Sequence, residues 1–354
     1  MLTSITVENF RCIEKATLEF DERSTGIVGA NASGKTSLLE AIYYLGHGRS
    51  FRTHQPDKLR RAGSTFLRVV AKLSTSRGLL TAGLEHSHGR TEGQLAGQGI
   101  SGIADIAEVL PLQVIDPGVH RLVEEGSGRR RRLLDWGVFH VKRDFLGHWR
   151  RYQRALLQRN AALRSSDAEQ LVTPWERDFC SAGTEVDALR ADYVRALKPH
   201  FETLAARLVG PGTTFVYRRG WADELDLRQA LQDSISRDLR LKTTHVGPHR
   251  ADIGFVVEGV AAKDRVSRGQ QKMLAAAFIL AQLQCHTAFG AAPTTLMLDD
   301  PAAELDVDNL GKLLSVIGEI PSQLIVTSVH EQGLRGIEIG RRFHVEQGRF
   351  APML

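Results

Sequence analysis

The chain has 354 residues, of which 42% are apolar and 25% charged, and its net charge is +5. These proportions are typical of a soluble globular protein, and the length allows two lobes. Three cysteines lie far apart without a C-x-x-C pair, which argues against a zinc site or a disulfide framework and indicates a reducing compartment. No N-terminal segment resembles a signal peptide, and the longest apolar run, residues 273–281, is too short to span a bilayer. We therefore expect a cytoplasmic protein that contacts no membrane.

The first predicted elements are strands, because apolar residues alternate between residues 2 and 20 and indicate a hairpin. A short strand then ends at Val28. Residues 29–36 follow as Gly-Ala-Asn-Ala-Ser-Gly-Lys-Thr, and the apolar residues after them take helical spacing. The pattern G-x-x-x-x-G-K-T between a strand and a helix predicts a P-loop; the alternative is a glycine-rich surface turn.

A P-loop binds the phosphates of a nucleotide. Its glycines let the backbone wrap a phosphate chain without a Cβ in the way, and its amides and the following helix N-terminus present partial positive charge. Lys35 is expected to reach the β- and γ-phosphates, and the Thr36 hydroxyl to help hold Mg²⁺. The candidate nucleotide-binding residues of this loop are Gly29, Asn31, Ala32, Ser33, Gly34, Lys35, Thr36 and Ser37. The sequence therefore predicts binding of ATP with Mg²⁺.

The segment after the P-loop helix contains a loop and further strands. Residues 46–53 are basic and polar, and we predict an ordered loop there. Residues 66–73 and 79–84 alternate again and are predicted to be antiparallel strands. Residues 110–115 are predicted to form a short buried strand. Gln113, which we place at the end of this strand, is a candidate Q-loop residue that contacts Mg²⁺ or the lytic water.

Residues 120–210 have helical spacing and few strand signals. Breaks predicted at residues 165–167 and 173–174 separate two helices that can pack antiparallel. Residues 129–164 contain eleven Lys or Arg, against two acids. This excess predicts contact with a polyanion such as DNA, and a solvated helix face is the alternative. The candidate DNA-binding residues are Arg129, Arg130, Lys142, Arg143, Arg150, Arg151 and Arg154.

The last part of the chain alternates strands and helices. Strands are predicted over residues 213–217, 253–257, 294–298 and 322–327, and an alanine-rich helix over 270–287. Buried strands that alternate with helices favour a mostly parallel sheet covered on both faces. The predicted fold class is therefore α/β.

The strand over residues 294–298 ends in two carboxylates, as a Walker B element does. Asp299 is expected to contact Mg²⁺ mostly through coordinated water, and Asp300 to polarise the attacking water. The alternative is that the two acids cap a strand or begin a loop. His330, after the last of these strands, is a candidate switch residue for the γ-phosphate, although Thr327 lies nearer the strand end.

Residues 266–272, Val-Ser-Arg-Gly-Gln-Gln-Lys, precede the alanine-rich helix and resemble the signature motif of ABC-type ATPases. Ser267, Gly269 and Gln270 are therefore candidate nucleotide-binding residues, and small residues at a helix N-terminus suit a γ-phosphate held by another subunit. The alternative is an ordinary helix capped by Ser267. Residues 301–306, Pro-Ala-Ala-Glu-Leu-Asp, resemble the D-loop of the same class, which crosses the dimer interface.

Together these segments resemble the RecF family of bacterial DNA-repair ATPases, relatives of SMC proteins. Further matching segments are residues 7–11, Val-Glu-Asn-Phe-Arg, 50–53, Ser-Phe-Arg-Thr, 131–135, Arg-Arg-Leu-Leu-Asp, and 246–250, Val-Gly-Pro-His-Arg, the last followed by Asp252. One departure is Arg268, where we expect Gly or Gln in the signature. The fold implied is an ABC-type P-loop ATPase head with an inserted helical arm. The predicted domains are an N-terminal head part over residues 1–118, the arm over 119–240 and a C-terminal head part over 241–354.

The resemblance also implies a function. Members of the family are recombination mediators that bind ATP, dimerise around two nucleotides and clamp double-stranded DNA or single-strand/double-strand junctions at gaps. They act with RecO and RecR to help load RecA, and their slow, DNA-stimulated ATP hydrolysis resets the clamp. Two other classes of protein remain: a transporter ATPase subunit, and another P-loop NTPase such as a metabolic kinase.

Overall fold

The computed structural model describes residues 1–76, 78–165 and 168–353. The chain divides by packing into two compact units. Unit 1 comprises Met1–Val119 and Gly290–Leu354, and unit 2 comprises His120–Phe289. Packing thus groups residues 241–289 with the helical segment, whereas the motif-based division assigned them to the ATPase head. The motif-based boundaries stay a prediction.

The described residues in the first part of unit 1 form eight strands and two α-helices. These are β1 (Leu2–Phe10), β2 (Ile13–Glu19), β3 (Ser24–Val28), α1 (Lys35–His47), β4 (Phe66–Thr75), β5 (Gly78–Ser87), β6 (Arg90–Leu95), β7 (Gln98–Gly99), α2 (Ala104–Val109) and β8 (Leu112–Ile115). Six of them form an antiparallel sheet in the order β2-β1-β4-β5-β6-β7. The predicted hairpin of β1 and β2 and the predicted pair β4 and β5 are confirmed.

Unit 2 is mainly helical. Its elements are α3 (Arg121–Glu124), α4 (Ser127–Val141), α5 (Phe145–Ala162), α6 (Ala168–Leu208), β9 (Thr213–Arg218), α7 (Leu227–Leu241), β10 (Asp252–Val257), β11 (Val260–Ala261) and α8 (Arg268–Ala288). The three strands form a small antiparallel sheet in the order β11-β10-β9. Four phenylalanines from α6, β9, β10 and α8 pack edge-on or tilted around one another and build the core of this unit.

Helices α5 and α6 of unit 2 pack against each other, as the helical spacing predicts. The break predicted at residues 173–174 is wrong, because α6 continues through Pro174. A proline removes one backbone hydrogen bond and crowds the preceding turn, and packing against α5 and α8 offsets that local cost. Of the other predicted break, Ser165 lies in a bend after α5, whereas residues 166 and 167 fall outside the described residues.

The last part of unit 1 completes a second sheet. Its elements are β12 (Thr294–Leu298), α9 (Pro301–Glu304), α10 (Val307–Gly318), β13 (Ser322–Ser328), β14 (Arg341–Glu346) and β15 (Arg349–Met353). The strand order is β15-β14-β3-β13-β12-β8, and every pair except β14 with β15 is parallel. The prediction of a mostly parallel sheet is confirmed. The carboxyl ends of β3, β13, β12 and β8 meet at one edge, where ligands bind in such sheets.

Helix α1 lies between the two sheets of unit 1. Leu38, Leu39 and Ile42 of this helix are fully buried in one core with apolar side chains of both sheets. Burial of three such side chains contributes roughly 5 to 9 kcal/mol before the entropy of ordering the chain is subtracted. The first residue of α1 is Lys35, so this core holds the P-loop against the edge at which the parallel strands end.

Candidate nucleotide-binding site

The P-loop connects β3 to α1 and is shaped by glycines. All five residues of β3 are buried, so the strand fixes where the loop begins. A Cβ on Gly29 would lie 2.3 Å from the carbonyl oxygen of Val345. Gly34, which precedes α1, has φ +121°, a backbone conformation that residues with a side chain rarely adopt. The local structure therefore requires glycine at both positions that the motif specifies.

Lys35 lies inside this loop and is 6% exposed. Its Nζ donates hydrogen bonds to the carbonyls of Gly29 at 2.6 Å and Ala30 at 2.9 Å. Burial lowers the pKa of Lys35, and the carboxylates of Asp300 and Asp299 oppose that shift. The ammonium group is thus held beside the loop backbone, where a phosphate oxygen would be a stronger, charged acceptor than a carbonyl.

The Thr36 hydroxyl connects the P-loop helix to the end of β12. Its Oγ1 lies 3.0 Å from Oδ1 and 2.9 Å from Oδ2 of Asp299. Burial raises the pKa of Asp299, and hydrogen bonds from Thr36 and Thr327 oppose that shift. Asp299 is further fixed through its amide, which donates to the carbonyl of Ile115 in β8 at 3.0 Å. The Walker A hydroxyl and the first Walker B carboxylate are therefore in direct contact.

This pair of oxygen donors suits Mg²⁺. A hydroxyl and one carboxylate, completed by water and substrate phosphates, are a usual donor set for this hard cation. Within the described ranges, no cluster of three His, Cys, Asp or Glu side chains could hold a metal by itself. The chemistry of the site thus fits a magnesium ion bound together with a nucleotide.

Asp300 follows with a left-handed backbone, φ 48° and ψ 54°, and so turns away from Asp299. Burial raises the pKa of Asp300, and the charge of Lys35 is the main opposing effect, with smaller ones from the Val329 amide and His330. His330 is therefore close enough to Asp300 to influence it electrostatically, and it is exposed after β13. The prediction that His330 senses the γ-phosphate remains a prediction.

A cleft of about 380 Å³ opens at this point within unit 1. It is lined by Asn31, Ala32, Gly34, Lys35, Thr36, Ser37, Arg52, Pro117, Asp299, Asp300 and Glu304. Six of these residues belong to the predicted P-loop set and two to the predicted Walker B element. The volume falls in the range of small-ligand sites. The P-loop and Walker B residues thus converge on one polar cleft.

Arg52 also lines the cleft, although the sequence analysis assigned no role to it. Glu40 of α1, 1% exposed, lies beneath it, with Oε2 at 3.8 Å from Nη1 of Arg52 and Oε1 at 2.9 Å from Nη2 of Arg11. The Ser50 hydroxyl donates to Glu40 and accepts from the Arg52 amide at 2.9 Å. The basic segment 46–53 was the sequence signal that could have indicated an arginine beside the cleft.

Gln113 is not where the sequence analysis placed it. It is the second of four residues in β8, paired with Leu296, so the strand continues for two residues beyond it. The side chain is buried and does not line the cleft. Pro117 lines the cleft after β8, and Asp116 is close enough to raise the pKa of Asp299. The placement of Gln113 at the strand end was therefore wrong, because this polar residue does not interrupt the strand and β8 pairs with β12 as far as Ile115.

The signature segment lies in unit 2 at the N-terminus of the 21-residue helix α8. Ser267 and Gln270 form a capping box: the Gln270 amide donates to the Ser267 hydroxyl at 3.3 Å, and the Ser267 amide to Oε1 of Gln270 at 2.9 Å. Both residues are exposed. A Cβ on Gly269 would meet nothing nearer than the Ser267 hydroxyl at 4.0 Å. The amides of Arg268 and Gly269, in the first turn, have no intrahelical acceptor, so this exposed helix end suits an anion.

The D-loop segment forms α9, and Asp306 then caps α10 by accepting from the Asn309 amide at 2.9 Å. Val307, the first residue of α10, is 85% exposed. Single exposed apolar residues are common on protein surfaces, so the D-loop assignment rests on the sequence resemblance and not on Val307.

The basic residues of unit 2 divide into two groups. Arg130 is buried: Nε and Nη2 donate to Asp252 at 2.7 and 3.0 Å, and Nη1 to the carbonyls of Leu122 and Glu125. We therefore remove Arg130 from the candidate DNA-binding residues. Arg159, which contributed to the charge count, is fully buried against Asp238 at 2.7 Å.

The other predicted DNA-binding residues are at least partly accessible. Arg129 pairs with Glu125 and Arg151 with Asp178, and Lys142 lies near Asp192 and the ring of Phe289. Arg143, Arg150 and Arg154 are exposed, and no ion pair joins them to another described side chain. Arg150 and Arg154 are four residues apart and so lie on one side of α5, and Arg143 lies in the turn just before this helix. We call these three arginines the α5 basic face.

Across the described ranges, no helix is both long enough and apolar enough to cross a membrane.

Comparisons with known proteins agree with this geometry. The family model described as RecF/RecN/SMC N terminal domain matches residues 1–348. The chain is 35% identical over 353 residues to the DNA replication and repair protein RecF of Thioalkalivibrio sulfidiphilus, covering 98% of each chain. It is 37% identical over 326 residues to the protein of the same name from Hydrogenovibrio crunogenus, covering 91% of this chain and 90% of the relative.

Solved structures show the same fold. One described as the recombination mediator protein RecF-ATP in the RecFOR pathway has a TM-score of 0.89 at 23% identity, over 100% of this chain and 97% of the other. An SMC head bound to the C-winged helix domain of ScpA has a TM-score of 0.59 at 18% identity, over 99% and 96%. The predicted fold class, an ABC-type ATPase head with additional helical structure, is confirmed.

Proposed function

The chain belongs to the RecF family of DNA replication and repair proteins, and we propose that it is an ATP-gated DNA clamp that acts as a recombination mediator. The observation that carries the proposal is the contact of Thr36 with Asp299 beside Lys35. This contact joins the Walker A and Walker B residues around a cleft suited to Mg²⁺ and a triphosphate. Lys35 binds the β- and γ-phosphates, Thr36 and Asp299 hold the metal, and Asp300 orients the attacking water.

The proposed clamp is a dimer. Ser267 and the free first-turn amides of α8 are exposed, and a helix N-terminus of this kind binds an anion supplied from outside its own capping box. We assign that anion as the γ-phosphate held by Lys35 of the partner subunit. A twofold dimer then contains two composite sites, since each subunit supplies one P-loop and one signature. Arg268 adds positive charge to the same interface.

DNA is the proposed second ligand. The α5 basic face presents three exposed guanidinium groups that form no ion pair with the side chains the structure describes, and such groups contact phosphates rather than base edges. Binding to double-stranded DNA or to single-strand/double-strand junctions is therefore expected to be independent of sequence and steeply dependent on salt. The family suggests RecO, RecR and RecA as partners, with slow, DNA-stimulated hydrolysis of ATP to ADP and phosphate resetting the clamp.

Two substitutions test the composite site. Lys35→Ala removes the cation that holds the triphosphate and should abolish nucleotide binding. Ser267→Arg places a bulky cation at the helix end and should leave nucleotide binding intact while preventing ATP-dependent dimerisation. Ser236→Arg, at an exposed position of α7, is the matched control. Light scattering with and without ATP and DNA measures the mass directly, and a normal dimer of Ser267→Arg with ATP would refute the composite site.

The other classes of protein receive less support. A transporter ATPase subunit needs a surface for a membrane partner, and the basic residues of α5 suit a polyanion instead. A metabolic kinase does not require a signature motif or a D-loop. Phosphoryl transfer from ATP to a small molecule, measured with the purified chain, would favour a kinase over the clamp.

A further inference from the structure

Thr327 is a polar residue in an apolar environment. It lies near the carboxyl end of β13, the strand between β3, which leads to the P-loop, and β12, which leads to Asp299. Its side chain is fully buried, and the preceding residues of the strand, Leu324, Ile325 and Val326, are apolar. A valine would fill the same space without a polar atom to satisfy, so the hydroxyl at this position calls for a specific role.

The hydroxyl of Thr327 contacts both Walker B residues. Its Oγ1 lies 2.9 Å from the amide nitrogen of Asp300, 3.0 Å from Oδ1 of Asp299 and 3.4 Å from the carbonyl oxygen of Leu298. An amide can only donate, so the oxygen of Thr327 accepts from Asp300. The single hydroxyl proton is then available to Asp299, whose charged oxygen is both nearer and the stronger acceptor.

These contacts fix the two acids relative to each other. Oδ1 of Asp299 receives the Thr36 hydroxyl from α1 at 3.0 Å and the Thr327 hydroxyl from β13 at the same distance. Asp300 has a left-handed backbone, φ 48°, which most residues with a Cβ avoid and which an external contact stabilises. The bond from its amide to Thr327 is such a contact. One hydroxyl thus orients the carboxylate of Asp299 and the backbone of Asp300.

We propose that Thr327 is a positioning residue of the ATPase site, which sets the direction of the Asp299 carboxylate toward the metal position and holds Asp300 in its turned conformation. The proposal rests on the function proposed above for this cleft. It also separates Thr327 from the γ-phosphate: the hydroxyl is buried and its donor and acceptor are already used within the chain, so His330, which is exposed, is left as the candidate to sense that phosphate.

The test compares Thr327→Val, which keeps the shape and removes the hydroxyl, with Thr327→Ser, which keeps the hydroxyl. Binding of the fluorescent analogue mant-ATP is titrated in the presence of Mg²⁺ and in EDTA. Loss of a hydrogen bond to a charged group should lower the Mg²⁺-dependent gain in affinity about tenfold in Thr327→Val and leave the affinity in EDTA unchanged. In Thr327→Val, the kcat of ATP hydrolysis should fall by a larger factor than KM rises. Thr327→Ser should recover most of the lost kcat and most of the Mg²⁺-dependent gain in affinity.

The outcomes separate this proposal from the function on which it rests. If the wild-type chain did not bind mant-ATP with Mg²⁺, the proposed function would fail. If the wild-type chain bound it and Thr327→Val showed the same Mg²⁺-dependent gain in affinity and the same kcat, only the positioning role would be refuted. Parallel losses with and without Mg²⁺, not recovered by Thr327→Ser, would also refute it, since they indicate packing alone. Thr327→Ala provides the same comparison if the valine variant does not fold.

Discussion

Substitution of Gly269 by alanine separates stability from assembly. Gly269 is the second residue of α8, and the added Cβ would meet nothing nearer than the Ser267 hydroxyl at 4.0 Å, so the folded monomer has room for it. Alanine is favoured over glycine in a helix interior by about 1 kcal/mol, and by less in the first turn. The variant should therefore be as stable as the wild-type chain or slightly more stable. The same methyl group stands beside the amides that we propose to bind the γ-phosphate of the partner subunit.

The expected result is a stable chain that assembles poorly. The added methyl group keeps a phosphate oxygen from approaching the first-turn amides closely, which removes at least one charge-assisted hydrogen bond. The loss is about 1.5 kcal/mol, or more than tenfold in the dimerisation constant. Multi-angle light scattering with ATP measures the dimer, and thermal unfolding measures stability. Gly147→Ala, in the first turn of α5 and with nothing within 4 Å of its added Cβ, is the matched control. Wild-type dimerisation of Gly269→Ala would refute the proposed role of the α8 N-terminus.

Three further predictions follow from the geometry. Arg52→Ala should weaken ATP binding about fivefold, or about 1 kcal/mol, because Arg52 lines the cleft while remaining partly exposed. Equilibrium titration with mant-ATP measures this affinity, and an unchanged value would exclude a phosphate contact. Burial lowers the pKa of His249 to about 4, so the unfolded chain binds more protons than the folded chain below about pH 6.5. The free energy of unfolding should therefore fall by up to about 3 kcal/mol as the pH falls from 7 to 4. His249→Gln should flatten that part of a melting-temperature profile, and an unchanged slope would contradict the buried neutral state. Replacing the α5 basic face by glutamine should reduce the slope of log K for DNA against log salt by about 2 to 3, and an unchanged slope would place DNA elsewhere.

The sequence predicted the cleft well because its motifs are local. A P-loop is defined by consecutive residues that must adopt one backbone path, and the glycines at 29 and 34 are required where the pattern specifies them. The Walker B strand and the parallel sheet follow from apolar runs of strand length. The meeting of Thr36 with Asp299 could be anticipated, since the carboxyl ends of parallel strands converge at one edge.

The errors arise where long-range contacts decide. Arg130 counts as one positive charge in the sequence, yet its partner Asp252 lies 122 residues away, and only the fold brings the two together. Gln113 was misplaced because a polar residue inside an apolar run does not mark the end of a strand, and β8 continues to Ile115. Pro174 suggested a helix end, but tertiary packing keeps α6 intact around it.

Arg52 and Thr327 show what sequence patterns leave out at the site itself. Arg52 lies in a loop, where the sequence shows no periodic pattern. The orientation of its side chain depends on the buried Glu40 and on Ser50. The sequence placed Thr327 near the end of its strand, but threonine is also a common strand residue, and the pattern does not show that its hydroxyl contacts both Walker B residues. The role of such residues depends on hydrogen bonds between strands that are distant in sequence, and these are visible only in three dimensions.

The central claim is that one ATP is held by two subunits, and a mixing experiment tests it most directly. Lys35→Ala retains the signature and Ser267→Arg retains the P-loop, so a heterodimer of the two contains one complete composite site. Light scattering with ATP should show each variant alone as a monomer and the equimolar mixture partly as a dimer. If the mixture remained monomeric while the wild-type chain dimerised, or if either variant dimerised alone, the shared nucleotide site would be contradicted.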